Sequence, residues 1–185
     1  GGLIMGMLRY AKSRWISYPA MLYVEVFRNT PVLVQIIWFF FALPVLTGVE
    51  VSPVMAAVLG ITLNTIAFSA EVFRGGIQSI EREQWDAGKA IGMSYVQSMR
   101  RVILPQALKR MLPPLTSRGI EVFKMTTLAT VVAYPETLQQ AKLIASYEYN
   151  PIETYTVVAL MFFVVLFPLV QLTYILERRF AKSDA

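Results

Sequence analysis

The 185-residue sequence contains no cysteine and no histidine. Without these residues the chain can form no disulfide, no thiolate or imidazole metal site and no Ser-His-Asp triad, and it lacks the usual proton shuttle near neutral pH. Charged residues are also scarce, at 16%, whereas hydrophobic residues reach 56%. Soluble domains contain about 25% charged and about 45–50% apolar residues. The composition therefore predicts a protein whose surface faces lipid.

Several apolar segments are long enough to cross a bilayer, which takes about 20 apolar residues in a helix. Three of them carry no charge, and they are residues 29–49, 51–70 and 154–176. A fourth, about 111–135, contains Arg118, Glu121 and Lys124. Because charge at membrane depth is costly, these three side chains are predicted to face protein or water.

The fold class follows from these spans. Residues 1–8 are apolar up to Arg9, and we interpret them as the tail of a truncated N-terminal helix. We predict an all-α polytopic membrane protein with about four full transmembrane helices in addition to that tail. Residues 1–185 are predicted to form a single transmembrane domain, because no repeat, linker or change of composition divides them.

Basic residues predict the orientation in the membrane. Thirteen of the 17 lie in three segments, at residues 9–14, 74–110 and 178–182. The intervening segments 46–53 and 136–152 contain only Lys142. Because Lys and Arg accumulate on the cytoplasmic side, we predict that the loop 74–104 and the C-terminus are cytoplasmic. A short helix at about 136–148 is predicted at the outer face, and no nucleic-acid partner is expected because the charge follows the topology.

The cytoplasmic loop contains a spaced motif. Asp86-Ala87-Gly88 is followed after three residues by Gly92, and after nine more by Val102-Ile103-Leu104-Pro105. This resembles the E-A-A, G, I-x-L-P pattern in the permease subunits of ABC importers, in particular the polar amino-acid uptake group. Four other segments are similar to that group's R-x-T-P-L-L-V-Q, E-x-x-R-G-G-I-Q-S-I, K-x-T-S-L and L-E-R-R patterns. They are Phe27–Gln35, Glu71–Ile80, Lys124–Leu128 and Leu176–Arg179.

The resemblance implies a type I importer fold in a bacterial inner (plasma) membrane. It also implies two ATP-binding cassette ATPase subunits, a second permease subunit that is identical or homologous, and an external solute-binding protein. The chain has no phosphate-binding loop, so we expect it to be no enzyme and to bind no cofactor, with ATP and Mg held by the partner subunits. An amphipathic helix over 83–98 is predicted to couple the ATPase to the pore. The predicted coupling residues are Glu83, Asp86, Ala87, Gly88, Lys89, Gly92, Leu104 and Pro105.

Polar side chains in or beside the spans are candidates for the translocation pathway. They are Gln35, Asn64, Glu71, Glu121, Lys124, Thr126 and Thr127. Alternatives remain open: Arg118, Glu121 and Lys124 could pair as a ladder with snorkelling ends, which we favour for Arg118. The threonine hydroxyls could instead bond backbone carbonyls.

Two charged pairs flank the cytoplasmic ends of the first two spans. Glu25 with Arg28 and Glu71 with Arg74 are each three residues apart. They could form a gate network between helices or anchor the spans at the interface, and the anchoring interpretation is favoured.

The function predicted from this resemblance is ATP-driven uptake of a polar amino acid. Lys124 favours an acidic substrate such as glutamate or aspartate, although Arg118 and Glu121 blur the sign of the charge. The alternative is an ion-coupled secondary transporter or channel, a class that often shows internal repeats. A membrane-embedded enzyme is disfavoured because Glu121 is the one plausible deep acid.

Overall fold

The computed structural model describes residues 1–11 and 13–181, and it leaves the side chains of residues 176–181 undescribed. In this part of the chain the secondary structure is helical, with ten α-helices and no strand. The helices are α1 (Gly2–Arg9), α2 (Arg14–Asn29), α3 (Val32–Ile37), α4 (Leu43–Thr47), α5 (Pro53–Gln78), α6 (Arg82–Ala90), α7 (Tyr95–Ser98), α8 (Leu104–Met125), α9 (Thr137–Tyr147) and α10 (Pro151–Ala181).

Two of the predicted spans are confirmed as long apolar helices. The helix α5 contains residues 51–70 almost entirely, and α10 contains residues 154–176; both are long and apolar enough to cross a membrane. The first span is different. The segments Arg14–Asn29 and Val32–Thr47 meet at an angle of 103°. The predicted span 29–49 therefore begins at a bend, and its helix starts only at Val32.

The charged fourth span also changes character along its length. The α-helix α8 ends at Met125 and a 3-10 segment, Thr126–Val132, continues the chain as far as Ala133, which has a φ of 54°. The segment predicted at 111–135 is therefore helical as far as Val132, with last turns wound more tightly than an α-helix. Among the described residues, two helices are long and apolar enough to cross a membrane, or three if the bent pair counts as one span, and α8 is not one of them.

Two π-helical turns precede prolines. Trp38–Ala42 ends two residues before Pro44, and Met99–Ile103 ends two residues before Pro105. Proline has no N–H and crowds the carbonyl four residues earlier, so a helix must adjust in the preceding turn. A π turn makes this adjustment without ending the helix. The chain thus stays helical from Tyr95 through Met125.

The helix α5 is the centre of the described structure. Helices α1, α2, α3 and α8 pack against it, while α10 packs against α8 and α9. One apolar core joins the end of α5 to the start of α8 through Ile77, Ile80, Ile103, Ala107 and Met111. A second core joins α3 to the 3-10 segment. Much of α10 is exposed in the isolated chain, which suits a helix that faces lipid or another subunit.

The prediction of one helix over 83–98 is wrong. The helix α6 ends at Ala90, and α7 begins at Tyr95. Gly92 has a φ of 77°, and the backbone N–H groups of Gly92 and Met93 donate to the carbonyls of Lys89 and Gly88. These two bonds form a Schellman motif, which ends a helix at a left-handed glycine. Propensity alone did not reveal this ending because the residues on both sides favour helix.

The predicted helix at about 136–148 is found as α9. Glu136 caps it, because its carboxylate accepts hydrogen bonds from the backbone N–H groups of Leu138 and Gln139 at 2.9 and 2.8 Å. The similarity noted at Leu176–Arg179 falls on the helical backbone of α10, but its side chains lie outside the described part of the structure.

Candidate functional site

The exposed side of α6 carries the predicted coupling residues. Glu83, Asp86, Ala87 and Lys89 are all exposed. The Lys89 ammonium donates to the Asp86 carboxylate at 3.0 Å, with both side chains about 70% exposed. An ion pair this exposed contributes little stability, so its groups can exchange partners at low cost. The structure therefore presents a mixed-charge surface that packing inside the chain does not cover.

The opposite side of α6 is docked on the rest of the chain. Trp85 packs on the core of α5 and α8, and it stacks on Tyr95 with ring centroids 5.6 Å apart. Gln106 of α8 donates to Gln84 at 3.2 Å. Ile91 takes no part in this contact, because it is 73% exposed in the turn after α6. Desolvation by burial raises the pKa of the Tyr95 phenol, which therefore stays protonated at neutral pH.

Gly88 and Gly92 have different roles. Gly88 is buried, and a Cβ built there would lie 2.6 Å from the Ser98 hydroxyl oxygen, so the absence of a side chain lets α6 approach α7. Gly92 is exposed in the turn, with nothing within 4 Å of a Cβ built there. Its requirement is conformational, because its φ of 77° is unfavourable for residues with a side chain. Gly88 therefore permits close packing of α6, and Gly92 permits the turn that ends it.

Leu104 and Pro105 lie at the start of α8, beyond the π turn. Pro105 is exposed and Leu104 is half-buried. Leu104 lines a cavity with Met7, Ile77 and Met99, so it faces the interior rather than the exposed side of α6. The structure thus places Leu104 and Pro105 on a different element from Asp86 and Lys89.

Charged residues of α1, α2 and α5 meet in a network around Glu71. Arg9 and Arg74 both donate to the Glu71 carboxylate, and Arg28 lies 3.9 Å from it. Arg9 also donates to Glu25 at 3.1 Å. These residues join across helices, whereas the sequence favoured anchoring at the interface, and Arg9 was missed as the residue that joins the three helices. Its position just after an apolar stretch was the available signal.

Gln35 and Asn64 are buried at the break between α2 and α3. Pro31 cannot donate to the carbonyl of Phe27, four residues earlier, so that oxygen needs another donor. The side-chain amides of Asn64 and Gln35 supply it, at 2.6 and 2.8 Å. Gln35 also donates to the Thr30 carbonyl at 2.8 Å and lines an apolar cavity of about 360 Å³. Both residues face inward, as predicted, and both support the break.

Arg118 does not snorkel, so the favoured interpretation of this residue was wrong. Its side chain is 6% exposed, donates to the Asn64 amide oxygen at 2.6 Å and to Glu121 at 2.8 Å, and lies over the Phe68 ring at 4.2 Å. A guanidinium of this kind is held by specific partners because a lone charge is costly to bury. Asn64 is 54 residues away in sequence, so helical spacing could not identify this pair.

The remaining pathway candidates lie further along α8. Glu121 is 57% exposed and Lys124 is exposed, and no ion pair joins them among the described residues. The ladder predicted for the three charges therefore contains only the Arg118–Glu121 step. The hydroxyls of Thr126 and Thr127 donate to backbone carbonyls at 2.7 and 2.8 Å, which is the back-bonding alternative. The apolar cavity that Gln35 lines has none of these other candidates among its lining residues.

Comparison with known proteins decides the family. The family described as "Binding-protein-dependent transport system inner membrane component" matches residues 1–182. The chain belongs to this family. A member is the membrane component of an ABC importer and is not itself an enzyme, because an ATPase subunit hydrolyses the ATP. Membership also places it in the inner membrane and implies ATPase and binding-protein partners.

Permeases of amino-acid transporters are similar over nearly the whole chain. A probable amino-acid ABC transporter permease, YckA of Bacillus subtilis, is 36% identical over 97% of this chain and 79% of its own length. The glutamine transport system permease GlnP of Escherichia coli is also 36% identical, over 97% of this chain and 84% of its own. The arrangement of helices agrees with a crystal structure of an amino acid ABC transporter. That chain is 31% identical, with a TM-score of 0.91 over 96% of this chain and 83% of the other.

Proposed function

We propose that this permease moves a polar amino acid across the inner membrane, driven by ATP that partner subunits bind and hydrolyse. The proposal is supported by the names of the relatives, two of which are an amino-acid permease and a glutamine permease. A structure at 31% identity and a TM-score of 0.91 is likewise that of an amino acid transporter. ATP and Mg are assigned to the ATPase partners, and this chain needs no cofactor of its own.

The coupling role is assigned to α6, and its two-sided character carries this assignment. One side is fixed to α5 and α8 by Trp85 and Gln84, while the other leaves Asp86, Ala87 and Lys89 uncovered. A partner that moves against the uncovered side therefore pushes an element attached to two membrane helices. We assign contact with the ATPase to that side, and we assign Gly88 and Gly92 the role of shaping it.

The proposed substrate class is the polar amino acids, and the observations support either an acidic member or glutamine. Lys124 is an exposed cation on α8, which supports glutamate or aspartate as the sequence predicted. The name of the Escherichia coli relative supports glutamine instead. Gln35, Asn64 and Glu71 lie at helix junctions in the described structure, so we propose that they act on the gate rather than on substrate.

The proposed assembly contains two permease subunits, two ATPases and an external binding protein. The largely exposed surface of α10 supports contact with lipid and a second permease subunit. The distribution of basic residues supports a cytoplasmic position for α6 and the C-terminus, and an outer position for α9.

The test is reconstitution of the chain with its ATPase and binding protein in liposomes. We expect uptake of labelled glutamine or glutamate only when ATP is enclosed on the ATPase side, and competition between the two identifies the substrate. Uptake that ignores ATP but collapses with an ion gradient would instead show a secondary transporter.

A charge-reversal pair tests α6 in the same assay. Asp86→Arg changes the uncovered side of α6, whereas Glu148→Arg makes the same change at an exposed position after α9. We expect the first to weaken ATPase binding and the second to leave that binding unchanged. Equal binding by both variants would contradict the coupling assignment.

A further inference from the structure

The break between α2 and α3 is held by a side chain from outside it. The 103° bend lies at Thr30 and Pro31, where the Phe27 carbonyl lacks its helical donor. Gln35 donates to this carbonyl from within the same bent segment, whereas Asn64 donates to it from α5. The Asn64 contact therefore ties the bend to the central helix.

Arg118 determines which way the Asn64 amide points. Its guanidinium donates to the Asn64 oxygen at 2.6 Å, so the amide nitrogen is left to donate to Phe27. Asn64 is 2% exposed and Arg118 is 6% exposed, so water does not compete freely for these bonds. The result is a buried hydrogen-bond chain that runs from Arg118 through Asn64 to the Phe27 carbonyl. Charge-assisted bonds of this kind are stronger than neutral ones.

The hydrogen-bond chain from Arg118 to Phe27 is also connected to α6. Arg118 lies on α8, which continues without interruption from α7 through the π turn. The helix α6 is fixed to this unit through Trp85 on Tyr95 and Gln84 on Gln106. A displacement of α6 is therefore passed to α8 and from there to the Asn64 amide.

We propose that Arg118 is a positioning residue that locks the α2–α3 bend to α8 through Asn64. When α8 shifts, the Arg118–Asn64 bond changes, the Phe27 carbonyl loses or regains the Asn64 donor while it keeps the Gln35 donor, and the angle of the bend responds. This proposal rests on the proposed function, because it assigns the route by which motion of the ATPase reaches the first membrane segment. The Arg118 Nε group is buried without a hydrogen-bond partner among the described residues, which leaves it a donor for a second arrangement.

Three variants separate this role from simple charge balance. Asn64→Asp keeps an acceptor for Arg118 but removes the Asn64 donor to the Phe27 carbonyl. Arg118→Leu removes the guanidinium that donates to the Asn64 amide oxygen. The matched control, Asn150→Asp, makes the same amide-to-carboxylate change just before α10, where Asn150 accepts a hydrogen bond from the Thr154 hydroxyl at 2.9 Å. The absence of native cysteine allows labels at Ile16→Cys and Val45→Cys, exposed positions on the two arms of the bend.

The measurements are ATP hydrolysed per substrate imported and the distance between the two labels, with and without trapped nucleotide. We expect Asn64→Asp and Arg118→Leu to raise the ATP cost of transport about tenfold, the scale of one buried charge-assisted bond. We also expect their label distance to stop responding to nucleotide, while Asn150→Asp resembles the parent protein.

Distinct outcomes overturn the proposal. A nucleotide-dependent label distance in Asn64→Asp equal to that of the parent chain would show that the link to Phe27 carries no motion. Failure of both variants to assemble, while Asn150→Asp assembles, would make the hydrogen-bond chain from Arg118 to Phe27 a folding element only. If the parent complex imports substrate with ATP and the variants give these results, only the proposed link from Arg118 to Phe27 is overturned. If the parent complex shows no ATP-driven uptake, the proposed function is overturned.

Discussion

At the residue scale, the backbone angle of Gly92 determines where α6 ends. Its φ of 77° permits the turn that ends α6, and a side chain there would meet no neighbour within 4 Å. We expect Gly92→Val to impair ATPase binding, since a branched side chain in this conformation costs about 1–2 kcal/mol. Gly92→Asn is the matched control, because asparagine tolerates left-handed angles. Binding of the ATPase subunit to the purified variants is the measurement.

The result for Gly92 separates two explanations. If Gly92→Asn binds the ATPase like the parent chain and Gly92→Val does not, the glycine is required for its backbone angle. Loss of binding in both variants would instead mean that the partner approaches the glycine too closely for any side chain.

Glu71 is the shared acceptor of the charge network, so its removal leaves three guanidinium groups without their common partner. We expect Glu71→Gln to lower the free energy of unfolding by about 1–3 kcal/mol, since the carboxylate is 24% exposed and bonded to charged donors. Glu25→Gln is the control, at 45% exposed and bonded to Arg9 at 3.1 Å, and should cost about 1 kcal/mol or less. Thermal unfolding in detergent compares them. Equal losses would contradict the central position of Glu71.

Sequence reasoning identified most polar residues of the interior but not their partners. Gln35 and Asn64 were expected to face inward, and they do. Arg118 was expected to reach the membrane surface because nothing in local spacing indicates a partner 54 residues away. Arg9 was likewise missed, since its partners Glu25 and Glu71 belong to two other helices. Tertiary packing supplied what the periodicity of one helix could not.

The docking of α6 depends on an aromatic contact between elements. Trp85 stacks on Tyr95 and covers the core formed by α5 and α8. We expect Trp85→Ala to release α6 and raise the ATP hydrolysed per substrate imported, because it removes the aromatic pair together with buried area. Trp85→Phe should retain most of the coupling. Normal coupling in Trp85→Ala would show that α6 is held by other contacts.

At the scale of whole elements, hydrophobicity was the strongest guide. Uncharged runs at 51–70 and 154–176 became α5 and α10 because such runs have one stable state in lipid. The bend at Pro31 and the turn at Gly92 were not predicted, although proline and glycine stand at both places. The resemblance identified these segments as motifs, but a motif gives letters and spacing, and backbone angles follow only from the packed structure.

For the whole molecule, the orientation in the membrane is predicted from the distribution of charge and can be measured directly. We expect a cysteine introduced for Glu83 on α6 to react with an impermeant maleimide only in inside-out vesicles. A cysteine introduced for Tyr147, an exposed residue on α9, should react only in right-side-out vesicles. The absence of native cysteine removes background labelling. Reaction of both positions from the same side would contradict the predicted topology.

The proposed ATP-driven transport depends on contact between the uncovered side of α6 and a separate ATPase. The most direct measurement is disulfide or short-linker cross-linking from Ala87→Cys, with Ser146→Cys on α9 as the exposed control. We predict that Ala87→Cys becomes cross-linked to the ATPase subunit in assembled complexes and that Ser146→Cys does not. A cross-link to the ATPase from Ser146→Cys, with none from Ala87→Cys, would contradict the account.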